Sequence, residues 1–87
     1  MELDPTRMTP VINRIKRAQG QLAGVLRLLE EGRDCEDVVT QLAAVSKALD
    51  RAGFAIIATG LKQCLAEEDG VESLDTKKME KLFLSLA

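Results

Sequence analysis

The 87-residue chain contains no histidine, no tryptophan and no tyrosine, and these absences remove whole classes of function. Without histidine it cannot form a catalytic Cys–His pair. A structural zinc site normally needs four nitrogen or sulfur ligands, and the chain has two cysteines. Its aromatic residues are Phe54 and Phe83, too few for platforms that stack single-stranded bases. We therefore predict a protein that is not an enzyme and that uses no cofactor.

The chain also has little net charge and no long apolar run. Its net charge is −2, so a surface that binds nucleic acid would have to be a local cluster. The first residues, MELDPTRM, lack the charged segment and apolar run of a secretory signal. No stretch approaches the roughly 18 apolar residues of a membrane-spanning helix. We expect one cytoplasmic domain without a membrane partner, whose cysteines are reactive, metal-binding or simply buried.

Apolar residues recur at alternating steps of four and three along two segments, which predicts two amphipathic helices. The first is expected over about 10–31, with Thr9 as its N-cap and Gly32 as its stop. The second is expected over about 35–67, after Asp34 as N-cap, and a third over about 74–86. Residues 1–8 are expected to form a flexible arm. The apolar seam of the first two helices comprises Val11, Ile15, Ala18, Leu22, Val25 and Leu29, then Val38, Leu42, Val45, Leu49, Ala52 and Ile56.

The second helix is too long for a chain of this size to cover. At about 1.5 Å per residue it spans roughly 50 Å, and the first helix covers about two thirds of that length. A small chain cannot bury both seams alone, which favours an antiparallel pair of chains or a larger assembly. The alternative is a monomeric bundle in which the second helix breaks near Gly53 or Gly60.

Cys35 and Cys64 lie 29 residues apart within this second helix. That separation is roughly 43 Å along the axis and returns to within about 20° of the same face, so the thiols cannot meet within one chain. In an antiparallel pair centred near Leu49 and Asp50, Cys35 would lie opposite Cys64 of the other chain. Such a pair could bind Cu(I), be oxidised or be bridged through sulfur. Alternatively, each cysteine is a small buried apolar residue.

Three basic residues, Arg14, Lys16 and Arg17, crowd the first helix. Arg14 and Arg17 share a face, whereas Lys16 points away from it. Such charges are often an ordinary solvated face, but a symmetric assembly would repeat the cluster and add phosphate contacts. The sequence shows no helix-turn-helix or zinc-finger signature, so base reading by a recognition helix is not predicted.

Two segments contain closely spaced motifs: residues 14–24, RIKRAQGQLAG, and residues 35–45, CEDVVTQLAAV. The first resembles the stretch R-x-x-R-I-x-G-Q-V-x-G, and the second resembles the signature C-x-D-V-L-x-Q-I-x-A-V. Both patterns are those of the CsoR/RcnR/FrmR family of repressors, which the chain therefore resembles. The similarity continues over 49–64, and it covers about residues 10–66 in all.

This resemblance implies an all-α, three-helix protomer that forms an antiparallel dimer and a disc-like tetramer. It implies repression through operator DNA bound without a helix-turn-helix, with an inducer between subunits releasing the DNA. The DNA contacts carry over to Arg14 and Arg17, and further to Lys16 and Arg51.

The residue at position 60 separates this chain from several branches of the family. Copper, nickel/cobalt and formaldehyde sensors carry a histidine where Gly60 stands, and formaldehyde sensors also have an N-terminal proline where Glu2 stands. With Cys35 and Cys64 alone, the chain is most similar to the CstR branch, which senses persulfides and polysulfides and controls sulfide-detoxification genes.

This similarity leads to the hypothesis of a persulfide-responsive repressor. The Cys35 thiolate would attack a low-molecular-weight persulfide, and Cys64 of the neighbouring chain would resolve the product. Two alternatives stay open: a Cu(I)-responsive repressor that uses two thiolates, and a helical oligomer that carries sulfur or acts as an adaptor without binding DNA.

Overall fold

The computed structural model describes residues 2–67 and 70–87, and at residues 71 and 73 it describes the backbone alone. The helices are α1 (Thr9–Glu30), α2 (Cys35–Ala66), the four-residue α3 (Gly70–Ser73) and α4 (Thr76–Leu86). The described ranges contain no strand, so the predicted all-α fold with three main helices is confirmed. The protomer is a flat slab of 54 × 25 × 13 Å. None of its described helices combines the length and apolarity needed to cross a membrane.

The start of α1 differs from the prediction. Thr9 is the first helical residue rather than the N-cap, and Met8 occupies the cap position without a side-chain hydrogen bond. A turn precedes the helix instead, in which Arg7 N donates to Asp4 O. Thr9 Oγ1 donates to Thr6 O at 3.3 Å, so the hydroxyl binds this turn rather than a free amide of the helix.

Gly32 ends α1 as predicted. Its φ is 68°, in the left-handed region that favours glycine. Gly32 N donates to Leu29 O and Arg33 N donates to Leu28 O, which together form a Schellman motif. Asp34 follows at the N-cap position of α2, although its side chain makes no capping hydrogen bond.

The long helix α2 passes through Gly53 and Gly60 without interruption, so the alternative in which it breaks there is wrong. Helix α4 folds back along it. A Cβ added at Gly53 would lie 2.7 Å from Leu86 Cδ1, which shows that α4 packs directly on this glycine. The neighbouring rings of Phe54 and Phe83 have centroids 5.1 Å apart in a tilted arrangement.

The sequence predicts the segment between α2 and α4 only in part. The sequence does not predict α3, and α4 begins at Thr76 rather than at 74. The Asp75 side chain accepts a hydrogen bond from Lys78 N at 3.1 Å and thereby caps α4.

Only alternate members of the apolar seam are buried between α1 and α2. On α1, Val25 is 4% exposed but Leu29 is 60% exposed; on α2, Val45 is 2% exposed but Leu49 is 42% exposed. The buried members recur every seven residues along each helix and are Val11, Ala18, Val25, Val38, Val45 and Ala52. One chain therefore covers half of each seam and leaves the other half in solvent.

Candidate functional site

Three of the four predicted DNA-binding residues surround one groove between α1 and α2. This groove, here named the arginine groove, has a volume of about 320 Å³. It is lined by Arg14, Arg17, Ala18, Gln21, Ala48 and Arg51. Because the two alanines fill little space, an opening remains between the helices at this level. Arg51, which the resemblance alone suggested, is thus placed beside two arginines more than 30 residues away in sequence.

In the part of the chain that the structure describes, no neighbouring carboxylate neutralises the charges of the arginine groove. Among the described residues, no acidic side chain lines the groove. Ion pairs in the described part of the chain join Arg7 to Asp4 and Arg33 to Glu31, and neither pair lies in the groove. Guanidinium groups present planar sets of donors that match phosphate oxygens. The groove can therefore bind an anion such as a phosphate group.

Lys16, the fourth predicted DNA-binding residue, is exposed on α1 and does not line the arginine groove. Its position agrees with the helical spacing, which turns it away from Arg14 and Arg17. A role for Lys16 in DNA binding stays a prediction.

The two cysteines occupy different environments at the two ends of α2. Cys35 is the first residue of the helix and is exposed. Cys64 lies near the C-terminal end and is 2% exposed. The continuous helix between them is roughly 43 Å long, so the two sulfur atoms do not meet within the chain. Their pairing across two chains stays a prediction.

Cys64 is enclosed by the segment that follows α2. Its Sγ donates to Gly70 O at 3.0 Å, and Glu67 N donates to Cys64 O at 3.2 Å. A Cβ at position 70 would overlap the Cys64 carbonyl group, so a glycine is needed at this close approach. The position of Cys64 near the helix end was predicted, but its enclosure by α3 was not.

A second cavity, the Cys64 cavity, lies between α2, α4 and the N-terminal arm. Its volume is about 410 Å³, and it is lined by Leu3, Ile56, Ile57, Gly60, Cys64, Leu74, Asp75, Lys78, Met79 and Leu82. Gly60, which stands where the resemblance places a histidine in metal sensors, is buried here. The described residues hold no group of three or more histidine, cysteine or carboxylate side chains arranged for a metal ion.

Residues 2 and 4 of the N-terminal arm are hydrogen-bonded to α2 next to Cys64. Gln63 Nε2 donates to Glu2 O at 2.8 Å, and Asp4 N donates to Gln63 Oε1 at 2.8 Å. Gln63 is only 7% exposed. Sequence reasoning missed it because a glutamine in an amphipathic helix normally faces solvent, and its partners lie about 60 residues away.

A profile of the family described as metal-sensitive transcriptional repressor matches residues 8–86. The chain belongs to this family. The match extends through α1, α2 and α4 and confirms the resemblance to the CsoR/RcnR/FrmR repressors, which are not enzymes.

Individual relatives support the same assignment. The copper-sensing transcriptional repressor CsoR of Mycobacterium ulcerans is 40% identical over 55 residues, which cover 63% of this chain and 47% of that protein. The copper-sensing transcriptional repressor RicR of Mycobacterium tuberculosis is 35% identical over 69 residues, or 77% of this chain and 72% of that protein. The uncharacterized protein YrkD of Bacillus subtilis is 50% identical over 40 residues, which cover 46% of this chain and 64% of that protein. The chain spans about half the length of the M. ulcerans relative, and none of the three names specifies the CstR branch.

Proposed function

We propose that the chain is a transcriptional repressor that binds operator DNA with its arginine groove. The observation that carries this proposal is the convergence of Arg14, Arg17 and Arg51 from two helices, in a member of a repressor family. Guanidinium groups bind phosphates in a bidentate manner. Because the groove holds arginines and small side chains, we expect contacts to the DNA backbone and readout of DNA shape rather than of base edges.

The exposed half of the apolar seam supports assembly into a homodimer or homotetramer. Leu22, Leu29, Leu42 and Leu49 are each at least 42% exposed on two adjacent helices. Fully burying an aliphatic side chain contributes about 1.5–3 kcal/mol, so a second copy across this face would be well stabilised. Assembly would repeat the arginine groove, and each added phosphate contact increases both the affinity and its dependence on salt.

In this proposal the inducer acts on Cys35 of one chain and Cys64 of its neighbour. The relatives support Cu(I) as the inducer better than they support a persulfide. Both mycobacterial relatives are named as copper-sensing repressors. Two thiolates are donors that soft Cu(I) prefers, so the residues present fit the ion. Gly60 provides no imidazole, and the thiolates would bind the ion without a third ligand from that position.

A low-molecular-weight persulfide, RSSH, is the second candidate, and the glycine at position 60 favours it. The Cys35 thiolate attacks the outer sulfur of RSSH, the S–S bond breaks, and RS⁻ leaves and takes up the proton that Cys35 lost. The Cys64 thiolate of the neighbouring chain then attacks the inner sulfur of the Cys35 persulfide. This step forms an intersubunit disulfide and releases hydrogen sulfide. Operator release would derepress genes of sulfide detoxification, and cellular thiols would reduce the disulfide and restore repression.

The different exposure of the two cysteines supports this order of reaction. Cys35 is accessible to a small molecule, whereas Cys64 is enclosed and would react after its end of α2 opens. The order does not depend on the identity of the organic group R.

One experiment separates these proposals. The reduced protein is mixed with DNA from upstream of its own gene, and retardation is measured after exposure to Cu(I), glutathione persulfide or peroxide, with intact masses recorded in parallel. Tight Cu(I) binding with DNA release and no covalent change supports the copper sensor. A cross-linked dimer with DNA release supports the persulfide sensor, and its absence contradicts it. Failure of the reduced protein to retard DNA refutes the repressor and favours the adaptor.

A further inference from the structure

The side chain of Gln63 holds the N-terminal arm at two points. It donates to the carbonyl of Glu2 and accepts from the amide of Asp4, both at 2.8 Å. These two backbone groups flank Leu3, so the amide fixes the orientation of this residue as well as its position. Gln63 Nε2 also approaches Glu67 Oε1 at 3.4 Å, which holds the amide in this rotamer.

Leu3, which Gln63 orients, forms part of the Cys64 cavity. Leu3 lines the cavity together with Gly60 and Cys64 of α2 and Met79 and Leu82 of α4. The arm therefore supplies one wall of the cavity, while α2 and α4 supply the others. Cys64 is 2% exposed with the arm in this position.

The arm has few other attachments to the protomer. Met8 is buried at the start of α1, but residues 2, 3 and 5–7 are exposed. The turn over residues 4–8 is held by local hydrogen bonds from Thr6 and Arg7 to Asp4. Loss of the two Gln63 bonds would thus release the part of the arm that covers the cavity and leave the turn before α1 intact.

We propose that residues 2–8 form a strap that Gln63 ties over the Cys64 cavity, and that release of this strap gates access to the Cys64 thiol. The gate regulates the thiol on which the proposed sensing function rests. Cys64 must leave its position beside Gly70 before it can meet a sulfur from another chain, and the strap must move before a reagent can enter from the cavity side.

The test measures how fast Cys64 is alkylated, without DNA and without an inducer. In the Cys35→Ser variant, Cys64 is the one thiol left in this 87-residue sequence, and N-ethylmaleimide addition is followed by intact mass. We expect Gln63→Ala to raise the alkylation rate about tenfold, because two partly buried hydrogen bonds hold the strap closed. The matched control is Gln41→Ala, which removes an exposed glutamine from the same helix and is expected to leave the rate unchanged.

A second variant isolates the strap from any effect on α2. Leu3→Gly leaves Gln63 in place and removes the side chain that lines the cavity, and we expect it to raise the rate several-fold. Circular dichroism checks that each variant keeps its helical content; if Gln63→Ala loses helix, the Leu3→Gly result decides. Unchanged rates in the folded variants, or an equal rise in Gln41→Ala, would overturn the strap. Either outcome leaves the repressor proposal standing, because that proposal is tested by DNA retardation.

Discussion

Two regions of the molecule, here named the hairpin region and the wrapped end, differ in which functional residues they leave exposed to solvent. The hairpin region, formed by α1 and residues 35–52 of α2, exposes half of its apolar seam, its arginines and Cys35. The wrapped end, formed by residues 53–66 of α2 with the arm, α3 and α4, encloses Cys64 and Gln63. One continuous helix thus has one end available to partners and one end covered by its own chain.

Because of this difference, the two cysteines of α2 have different access to solvent. Cys35 and Cys64 belong to one helix and to one predicted face, yet solvent reaches only the first. We infer that the hairpin region makes contacts with DNA and other chains, while the wrapped end determines when the second thiol can react.

The largest expected effect is a difference in thiol reactivity between the two ends of α2. In the reduced protein we expect Cys35 to be alkylated about 100-fold faster than Cys64, because a buried thiol reacts only after local opening. A time course with N-ethylmaleimide, followed by digestion and peptide mass analysis, gives both rates. Equal rates would remove the distinction between an open and a wrapped end.

A smaller effect is expected when the wrapped end is forced apart. Gly70→Ala places a Cβ against the Cys64 carbonyl, so we expect the free energy of unfolding to fall by about 2 kcal/mol and Cys64 to react faster. Urea denaturation and the same alkylation assay measure the two quantities. The control Gly20→Ala adds a methyl group with nothing within 4 Å and should gain up to about 1 kcal/mol from helix propensity. An unchanged Cys64 rate in Gly70→Ala would show that α3 does not shield the thiol.

The hairpin region can be tested through its arginines. Arg14→Ala or Arg17→Ala is expected to weaken operator binding about tenfold and to lower its salt dependence, because a phosphate contact is lost from each groove. Titrations in DNA retardation assays at several salt concentrations measure this. Arg27→Ala removes the same charge from α1 outside the groove and should have little effect. Light scattering should show an unchanged assembly; if the assembly dissociates, the arginines are structural.

The smallest expected effect concerns the arm and depends on pH. Hydrogen bonds from the Thr6 hydroxyl and amide, with a contribution from Arg7, hold the pKa of Asp4 below its ordinary value of 3.8. The ionised carboxylate therefore stabilises the turn fully above pH 3.8, and this stabilisation is lost as the pH falls through the lower pKa of the folded protein. The NMR shift of the Thr6 amide should report this transition, and Asp4→Asn should abolish it.

Local sequence signals were sufficient to place the three main helices to within about two residues, but they did not predict α3 or the contacts of the wrapped end. Gly32 stops α1 because a left-handed residue is needed there, and the four-and-three spacing identifies both faces of the hairpin. The spacing by itself does not reveal which half of the seam the chain itself buries. The two halves do differ in residue type, because the buried members are valines and alanines whereas the exposed members are leucines and an isoleucine. Gln63 could not be identified because its partners are brought to it only by the tertiary fold.

The candidate site was predictable to a similar degree. Arg14 and Arg17 were marked by their spacing on one helix, and Cys35 and Cys64 by their 29-residue separation on one face of the next. Arg51 required the family resemblance, because its neighbours lie on another helix. The enclosure of Cys64 depends on the close approach of Gly70, which leaves no pattern in the sequence.

The connection between α1 and α2 carries a constraint on chain length. Gly32 and Arg33 both donate hydrogen bonds in the Schellman motif, and Asp34 occupies the N-cap position of α2. Each of these three residues of the connection therefore has a fixed place in the structure. Inserting one residue would turn α2 by about 100° relative to α1. Arg51 would then leave the arginine groove, and the buried valines would lose their partners at the same time. Surface loops usually tolerate insertions, but this one sets the phasing of the arginine groove and of the core together.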